Sequence, residues 1–220
     1  MKTTVKDLYD LSHSIMGEFL GQFTYPWEAL SRIKEEIERL GATLPKEEFE
    51  EISPRVWVHK SAKVAPTAYL GAPCIVDEGA EVRHCAFVRG SAVVGKGSVV
   101  GNSTELKNVI LFDSVQVPHY NYVGDSILGY KSHMGAGAVT SNVKSDKTLV
   151  VVKEKTEQIA TGLKKFGAML GDCVEIGCNS VLNPGTVVCP NTNVYPLSCV
   201  RGVIPSDSIY KTGGVIVKKA

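Results

Sequence analysis

Residues 58–106, VHKSAKVAPTAYLGAPCIVDEGAEVRHCAFVRGSAVVGKGSVVGNSTEL, decide the fold. Val58, Val64, Leu70, Val76, Val82, Val88, Val94, Val100 and Leu106 recur every six residues without a miss. Gly, Ala, Ser, Asn and Asp cluster between them, as in LGAP, VGKGS and VGNS. A helix repeats its faces every 3.6 residues and a half-buried strand every two, so neither produces this rhythm. A six-residue period marks a β-solenoid, in which each short strand points one apolar side chain inward and small residues turn the corners. One coil buries nothing alone; stacking makes the core continuous. With three six-residue faces to a coil, positions eighteen apart lie one above the other.

Downstream, Phe112 keeps the phase, which then slips by one to Val117, Val123, Leu128 and Met134; the slip brackets Pro118-His119. Residues 141–165, SNVKSDKTLVVVKEKTEQIATGLKK, lose the rhythm and are lysine-rich, which predicts a loop or arm that projects toward a neighbouring subunit. The rhythm returns at Leu170, Ile176, Leu182, Val188, Val194 and Val200, and Ile204-Pro205 ends it. The tail SIYKTGGVIVKKA predicts a strand or hairpin with a basic tip. Upstream, Val5, Leu8, Leu11, Ile15 and Phe19 recur at helical steps and predict an amphipathic helix over 4–20. A second helix starts at Pro26, carries Ala29, Ile33, Ile37 and Leu40 on one face, and stops at Gly41. LPKEEFEEISP then runs out polar to Pro54. The organisation expected is a helical segment or connector over 1–54, a solenoid domain over 55–205 with its arm at 141–165, and a terminal strand or tail over 206–220.

The 220 residues carry mixed charges with a net of +1, no footprint for nucleic acid or a membrane surface. No apolar run is long enough to span a bilayer, and the N-terminus lacks a signal-peptide core, so a cytoplasmic chain is expected. The six cysteines form no CxxC pair or zinc spacing, and are expected as reduced, mostly buried thiols. The histidines, at 13, 59, 84, 119 and 133, include no His-x4-His pair, which argues against a solenoid carbonic anhydrase with three zinc ligands; no metal is expected.

Residues 102–142, NSTELKNVILFDSVQVPHYNYVGDSILGYKSHMGAGAVTSN, hold the chemistry. Glu105, Lys107, His119 and Tyr122 place an acid, a cation, an imidazole and a phenol within eighteen positions, and Arg89 lies eighteen residues before Lys107. Coil stacking makes Arg89 and Lys107 a two-cation ladder, with His119 and Tyr122 two faces further along.

The hexads and the string E-x-K…H-x-x-Y-x-G-D…G-A-G…N resemble the left-handed β-helix (hexapeptide-repeat) acyltransferases. The match is most specific to the acetyltransferase domain of the bifunctional N-acetylglucosamine-1-phosphate uridylyltransferase/glucosamine-1-phosphate acetyltransferases and the archaeal sugar-1-phosphate nucleotidylyltransferases. The YPWEAL motif, Tyr25 to Leu30, resembles the connector that follows the nucleotidylyltransferase domain in longer relatives. The resemblance implies a single-stranded left-handed β-helix of about seven coils with a short α-helical N-terminal segment. It further implies a homotrimer with sites between subunits, and transfer of acetyl from acetyl-coenzyme A to the amine of an amino-sugar phosphate or nucleotide amino sugar, without a metal.

By the same resemblance, His119 is the general base and Glu105 its orienting partner; Arg89 and Lys107 hold the phosphate; Tyr122 contacts the sugar phosphate; and His133 is a further substrate contact. Asn142, Lys144, Lys147 and Cys178 face the coenzyme. An imidazole titrates near working pH and suits removal of an amine proton. Three positions depart from the family: His133 stands in place of Asn, Val143 in place of Tyr, and Cys178 in place of Ser. No Gly-rich nucleotide loop occurs, so no nucleotidylyltransferase activity is expected of these residues. The alternative is a non-catalytic assembly or regulatory partner of a separate nucleotidylyltransferase.

Overall fold

The computed structural model describes residues 3–154 and 157–219. It is a left-handed β-helix of about eight turns, with few helices. Each coil lays one short strand on each of three faces. The first face runs from Val56–His59 through Cys74–Val76 and Ala92–Val94 to Thr186–Val188 and Val203–Ile204. The second runs from Lys63–Val64 through Gln116–His119 and His133–Met134 to Ser208–Lys211, and the third from Tyr69–Leu70 through Phe87–Val88 to Cys199–Val200. Within each face the strands of successive coils pair in parallel.

Corners need residues in the left-handed region, and the sequence supplies them in columns. Gly79, Gly97, Ser114, Lys131, Cys173 and Asn191 turn from the first face to the second with φ between 54° and 63°. Cys85, Ser103, Tyr120, Gly137, Asn179 and Leu197 do so from the second to the third. Gly, Asn and small polar residues tolerate this region best, which explains the composition between the hexad positions.

The inward series is as expected to Leu106, but the phase slip falls elsewhere. Glu105 lies over Phe87, eighteen residues back, whereas Tyr122 lies over Glu105 after only seventeen. The missing residue is lost at the corner after Lys107. Between Phe87–Val88 and Ala92–Val94 the chain turns through two left-handed residues, Gly90 and Ser91; after Lys107 it turns on Asn108 alone, and after Gly124 on Asp125 alone. The strands Glu105–Leu111 and Tyr122–Leu128 therefore run unbroken from the third face onto the first. Leu111, not Phe112, points into the core above Val94. Phe112 is buried outside the coil, against Tyr9, with ring centroids 5.0 Å apart.

The first face is buried on both sides. Trp57, Ile75, Val93, Ile110, Ile127, Met169 and Val187 point outward and are nonetheless buried, beneath the N-terminal segment. That segment is less helical than its periodicity predicts. The helix expected over 4–20 is two single turns, Val5–Leu8 and Gly17–Leu20, joined by a 3-10 turn, Leu11–His13. Asp10 accepts from Ser12 N and Ser14 Oγ from Met16 N, so local side-chain bonds compete with the helix. Asp172 Oδ2, from a distant corner, accepts from Asp10 N at 2.7 Å and ties the segment down. The second helix is a 3-10 turn, Pro26–Ser31, followed by the helix Ile33–Gly41. Gly41 lies so close to Trp57 that a Cβ there would fall 2.3 Å from the indole. The stretch read as a polar run-out contains a strand, Phe49–Ser53, antiparallel to Val56–His59.

The excursion that begins at 141 is not regular coils. It holds an antiparallel hairpin, Val151–Lys153 with Gln158–Ala160; positions 155 and 156 of the predicted arm lie outside the described residues. It does not project freely, because Val150 and Val152 are fully buried and its backbone packs at the corners of Gly185 and Gly202. The tail is a hairpin, Ser208–Lys211 with Val215–Lys218. All six cysteines are free thiols, but only Cys74 and Cys189 are buried. Cys85 and Cys173 occupy left-handed corners, which face solvent. Burial pushes the Cys74 thiol up to about 12. Among the described residues no helix is long and apolar enough to cross a membrane, and no group of three or more His, Cys, Asp or Glu side chains is placed to hold a metal ion.

Candidate functional site

The predicted residues gather where the third face meets its two corners, at the coils bearing Phe87, Glu105 and Tyr122. Arg89 and Lys107 sit on adjacent coils, as the eighteen-residue spacing requires, but each holds a carboxylate. Arg89 Nη1 donates to Glu105 Oε1 at 2.9 Å, and Lys107 Nζ to Asp125 Oδ1 at 2.8 Å. Tyr122 does not lie two faces along; it stacks over Glu105 on the same face. Its ring lies back across Gly124, where a Cβ would meet the phenol oxygen at 2.5 Å. Burial raises the Tyr122 hydroxyl above its ordinary value, and the neighbouring Asp125 and Glu105 charges raise it further.

Asp125, nearly inaccessible at 3% exposure, is the hub of this cluster. Its carboxylate accepts from Lys107, from Asn108 Nδ2 at 2.9 Å and from Asn142 Nδ2 at 2.6 Å. Asn142 also donates to the Tyr122 hydroxyl at 3.2 Å. Asn108 reaches the other way as well, to the Leu30 carbonyl at 3.1 Å, which fixes the YPWEAL turn against the same corner. Trp27 of that turn stacks on Phe166, the residue at which the excursion returns, and Phe166 N donates to Asn142 O. Asp125 and Asn108 were not singled out as site residues from the sequence. The signal was present in their seventeen-residue spacing, one short of the coil repeat.

His119 ends the second-face strand Gln116–His119, over Asn102, with its side chain exposed. Its backbone is pinned from several sides. His119 N donates to Asn121 Oδ1 at 3.1 Å, and His119 O accepts from Gly137 N at 3.0 Å. Asn121, buried, donates in turn to the Gly135 and Ala138 carbonyls. Pro118 presses on the coil below, where a Cβ on Gly101 would lie 1.6 Å from its carbonyl oxygen, so only glycine fits there. The His119 imidazole has no hydrogen-bond partner among the described residues. Glu105 occupies the coil beneath, but its carboxylate is bonded to Arg89 and no hydrogen bond joins it to His119.

The other candidates lie apart from this centre. His133 Nδ1 is 2.8 Å from Glu175 Oε2 on the second face. Lys144 bonds Thr148 and lies 3.3 Å from Asp146 within the excursion, and Lys147 is exposed at a left-handed turn. Cys178 is an exposed thiol whose backbone sits against Gly135.

The cluster is flanked by apolar surface. Tyr69, Phe87 and Val181 point outward on the third face at 60%, 44% and 38% exposure, and Leu197 at its corner is 73% exposed.

Comparison with known proteins gives this arrangement its relatives. The chain is 29% identical over 198 residues to the bifunctional protein GlmU of Methanococcus maripaludis, covering 89% of this chain and 48% of that one. It is 32% identical to the GlmU of Methanococcus aeolicus over 71% of this chain and 42% of the other. It is 26% identical to the bifunctional sugar-1-phosphate nucleotidylyltransferase/acetyltransferase of Sulfurisphaera tokodaii over 73% and 40%. The chain thus spans about half the length, or less, of these curated relatives. Among solved structures, the polySia-specific acetyltransferase NeuO aligns with a TM-score of 0.49 at 11% identity, over 72% of this chain and 80% of that one. The family model described as the GMPPB C-terminal domain matches residues 71–204, more than half the chain, and the protein belongs to that family.

Proposed function

We propose that the chain is an acyl-coenzyme A-dependent N-acetyltransferase acting on an amino-sugar phosphate or a nucleotide amino sugar. The observation that carries this is the exposed, unpartnered His119 imidazole, rigidly held beside a cationic and phenolic cluster. A sugar amine must lose a proton to become or remain a nucleophile as it attacks a thioester carbonyl, and an imidazole suits that transfer. His119 takes that proton from the amine nitrogen. Arg89 and Lys107 meet the phosphate, and Tyr122 and His133 the sugar. An anion that draws Arg89 away from Glu105 leaves that carboxylate free to turn toward His119 and stabilise the imidazolium.

Acetyl-coenzyme A supplies the acyl group: its thioester C–S bond breaks as the amide bond forms, and the coenzyme leaves as a thiol that takes the proton back from the His119 imidazolium. Among the residues assigned to it, Asn142 lies at the neck of the excursion, Lys147 is free to meet a coenzyme phosphate, Lys144 must leave Asp146 to do so, and Cys178 lines the approach as a thiol. No reacting group needs a metal.

We further propose a homotrimer in which the third face of one subunit meets a neighbour. Exposed Tyr69, Phe87, Val181 and Leu197 are the kind of apolar surface that marks an interface. Light scattering at micromolar concentration tests this; a monomer would count against a site completed between subunits.

The central test is thiol release from acetyl-coenzyme A in the presence of glucosamine-1-phosphate, galactosamine-1-phosphate or their nucleotide-linked forms. Amine-dependent release is expected, and its absence with every acceptor would defeat the reading. In that case a second reading stands: a non-catalytic partner of a separate nucleotidylyltransferase. It draws support from the neutralisation of Arg89 and Lys107 by carboxylates of the same chain.

A further inference from the structure

We propose that Lys34, on the N-terminal helix Ile33–Gly41, supplies the uncompensated positive charge that binds a phosphate or diphosphate group of the acceptor, so that the N-terminal segment is part of the binding site and not only its support. The inference rests on the acetyltransferase reading for the identity of the acceptor, but not for the anion itself.

Lys34, Arg89 and Lys107 line one cavity of about 380 Å³, with Gly90, Ser91 and Asn108 between them. Among the described residues, no carboxylate-bearing residue lines it. Of the three cations, Arg89 is spent on Glu105 and Lys107 on Asp125. Lys34 is exposed and has no acidic partner among the described residues. Of the helix's own acids, Glu36 is held by Arg39 at 2.6 Å, Glu38 is held by Arg55 at 2.8 Å, and exposed Glu35 makes no ion pair with Lys34. A ligand anion entering here therefore meets one free cation, and two more that are available only in exchange for their carboxylates. The helix cannot drift from the cavity: Ile33 and Ile37 are fully buried, and Asn108, a cavity residue, holds the Leu30 carbonyl just before it.

The chemistry shared by the candidate ligands is a phosphoryl group. A sugar-1-phosphate presents it as a terminal dianion and a nucleotide sugar as a bridging diphosphate. The site is large enough for either, and the test separates them.

Binding is measured by calorimetry on the full chain with inorganic phosphate, pyrophosphate, glucosamine-1-phosphate and uridine diphosphate-glucosamine. The measurements are repeated at low and physiological salt, for wild type and for Lys34→Gln and Lys34→Arg. Gln keeps helix propensity at an exposed position, so the fold is retained, and circular dichroism verifies it. Loss of one charge-assisted hydrogen bond predicts roughly ten-fold weaker binding or more in Lys34→Gln. A shallower salt dependence should accompany it, and Lys34→Arg should restore most of both. Preference for glucosamine-1-phosphate or for the diphosphate identifies the source of the phosphoryl group. Unchanged affinity and salt slope in Lys34→Gln overturn the inference, as does a wild type that binds none of the four. If Lys34 governs pyrophosphate binding but no amine is acetylated, the acetyltransferase reading fails and this one stands. If acetylation proceeds with the same KM in Lys34→Gln, the reverse holds.

Discussion

The first and third faces of this solenoid are built from the same repeat and put to opposite uses. On the first, each strand carries a second apolar residue pointing outward, and the N-terminal segment buries it. On the third, the outward positions are Tyr69, Phe87, Glu105, Tyr122, Val139, Val181 and Cys199, a row of aromatic, charged and small apolar groups that is exposed or only half-buried. From Val88 to Val200 the inward residues of the third face are buried as completely as Val76 to Val188 of the first, so burial of the core does not distinguish them. What a face does is set by its outward row alone, and by what reaches across it.

The difference should be sharpest in catalysis. His119→Ala is expected to lower turnover of an amino-sugar phosphate by about a hundred- to ten-thousand-fold, the usual worth of a general base. Its Tm should not move, because the side chain is exposed and makes no hydrogen bond among the described residues. Glu105→Gln should lower turnover less, since the imidazole can still accept a proton without its partner. A His119→Ala protein with wild-type turnover would remove the imidazole, and the site it shares with the third face, from the mechanism.

Stability should show the opposite asymmetry. Ile110→Ala, on the covered face, leaves a cavity between core and helix and should cost about 2–5 kcal/mol, read from urea unfolding. Phe87→Ala, equally outward but uncovered, should change subunit stability by less than about 1 kcal/mol. Equal losses would mean that the two faces are not differently covered.

Asp125→Asn tests the seam where the third face passes into the first. The amide keeps the shape but removes the charge that Lys107 pairs with, and one of its two termini must face a donor. A loss of about 1–3 kcal/mol is expected, together with a raised KM for the phosphate-bearing acceptor as Lys107 loosens. A fall in stability without any change in KM would make Asp125 structural only.

The smallest effect is a pH dependence on the covered side. Asp77 is buried at the corner that follows the first face, with Oδ2 unpartnered and Oδ1 accepting from Glu78 N at 2.7 Å. Burial raises its carboxyl above the ordinary 3.8. The folded chain therefore holds this proton more tightly than the unfolded chain does. The contribution is fully favourable below 3.8 and is lost as pH rises through the higher folded value. Asp77→Asn should accordingly raise Tm at pH 7 and leave it nearly unchanged near pH 3. A Tm gain that is the same at both values would put the effect elsewhere.

The inward hexads made the solenoid legible, since a solenoid repeats one packing rule along its whole length. The outward series Trp57, Ile75, Val93, Ile110, Ile127, Met169 and Val187 was equally readable and would have announced a covered face. It runs one residue ahead of the inward series at most coils, so the stronger inward period masks it. The shortened corners were harder to see. Phe112 is apolar and stands six residues after Leu106, but it is buried by Tyr9 rather than by the core, so the slip looked several residues later than it is.

In the N-terminal segment, periodicity overstates the helix for a related reason. Apolar spacing there reflects docking onto the solenoid, while Asp10 and Ser14 break the backbone ladder locally. Within the candidate site, spacing placed Arg89 and Lys107 on neighbouring coils. It could not decide between two partners for Glu105 that lie one coil away in opposite directions.

The two terminal hairpins bear on how such a chain avoids its own kind. A stack of parallel coils ends in open strand edges, and an identical stack could in principle continue it indefinitely, as fibrils do. Here Phe49–Ser53 runs antiparallel along the first face at one end, and Val215–Lys218 does the same along the second face at the other. All three sheets must extend together for a coil to be added, so blocking one sheet at each end, with the direction of the strand reversed, stops growth. The hairpins are terminators of a polymerisation that the repeat would otherwise permit.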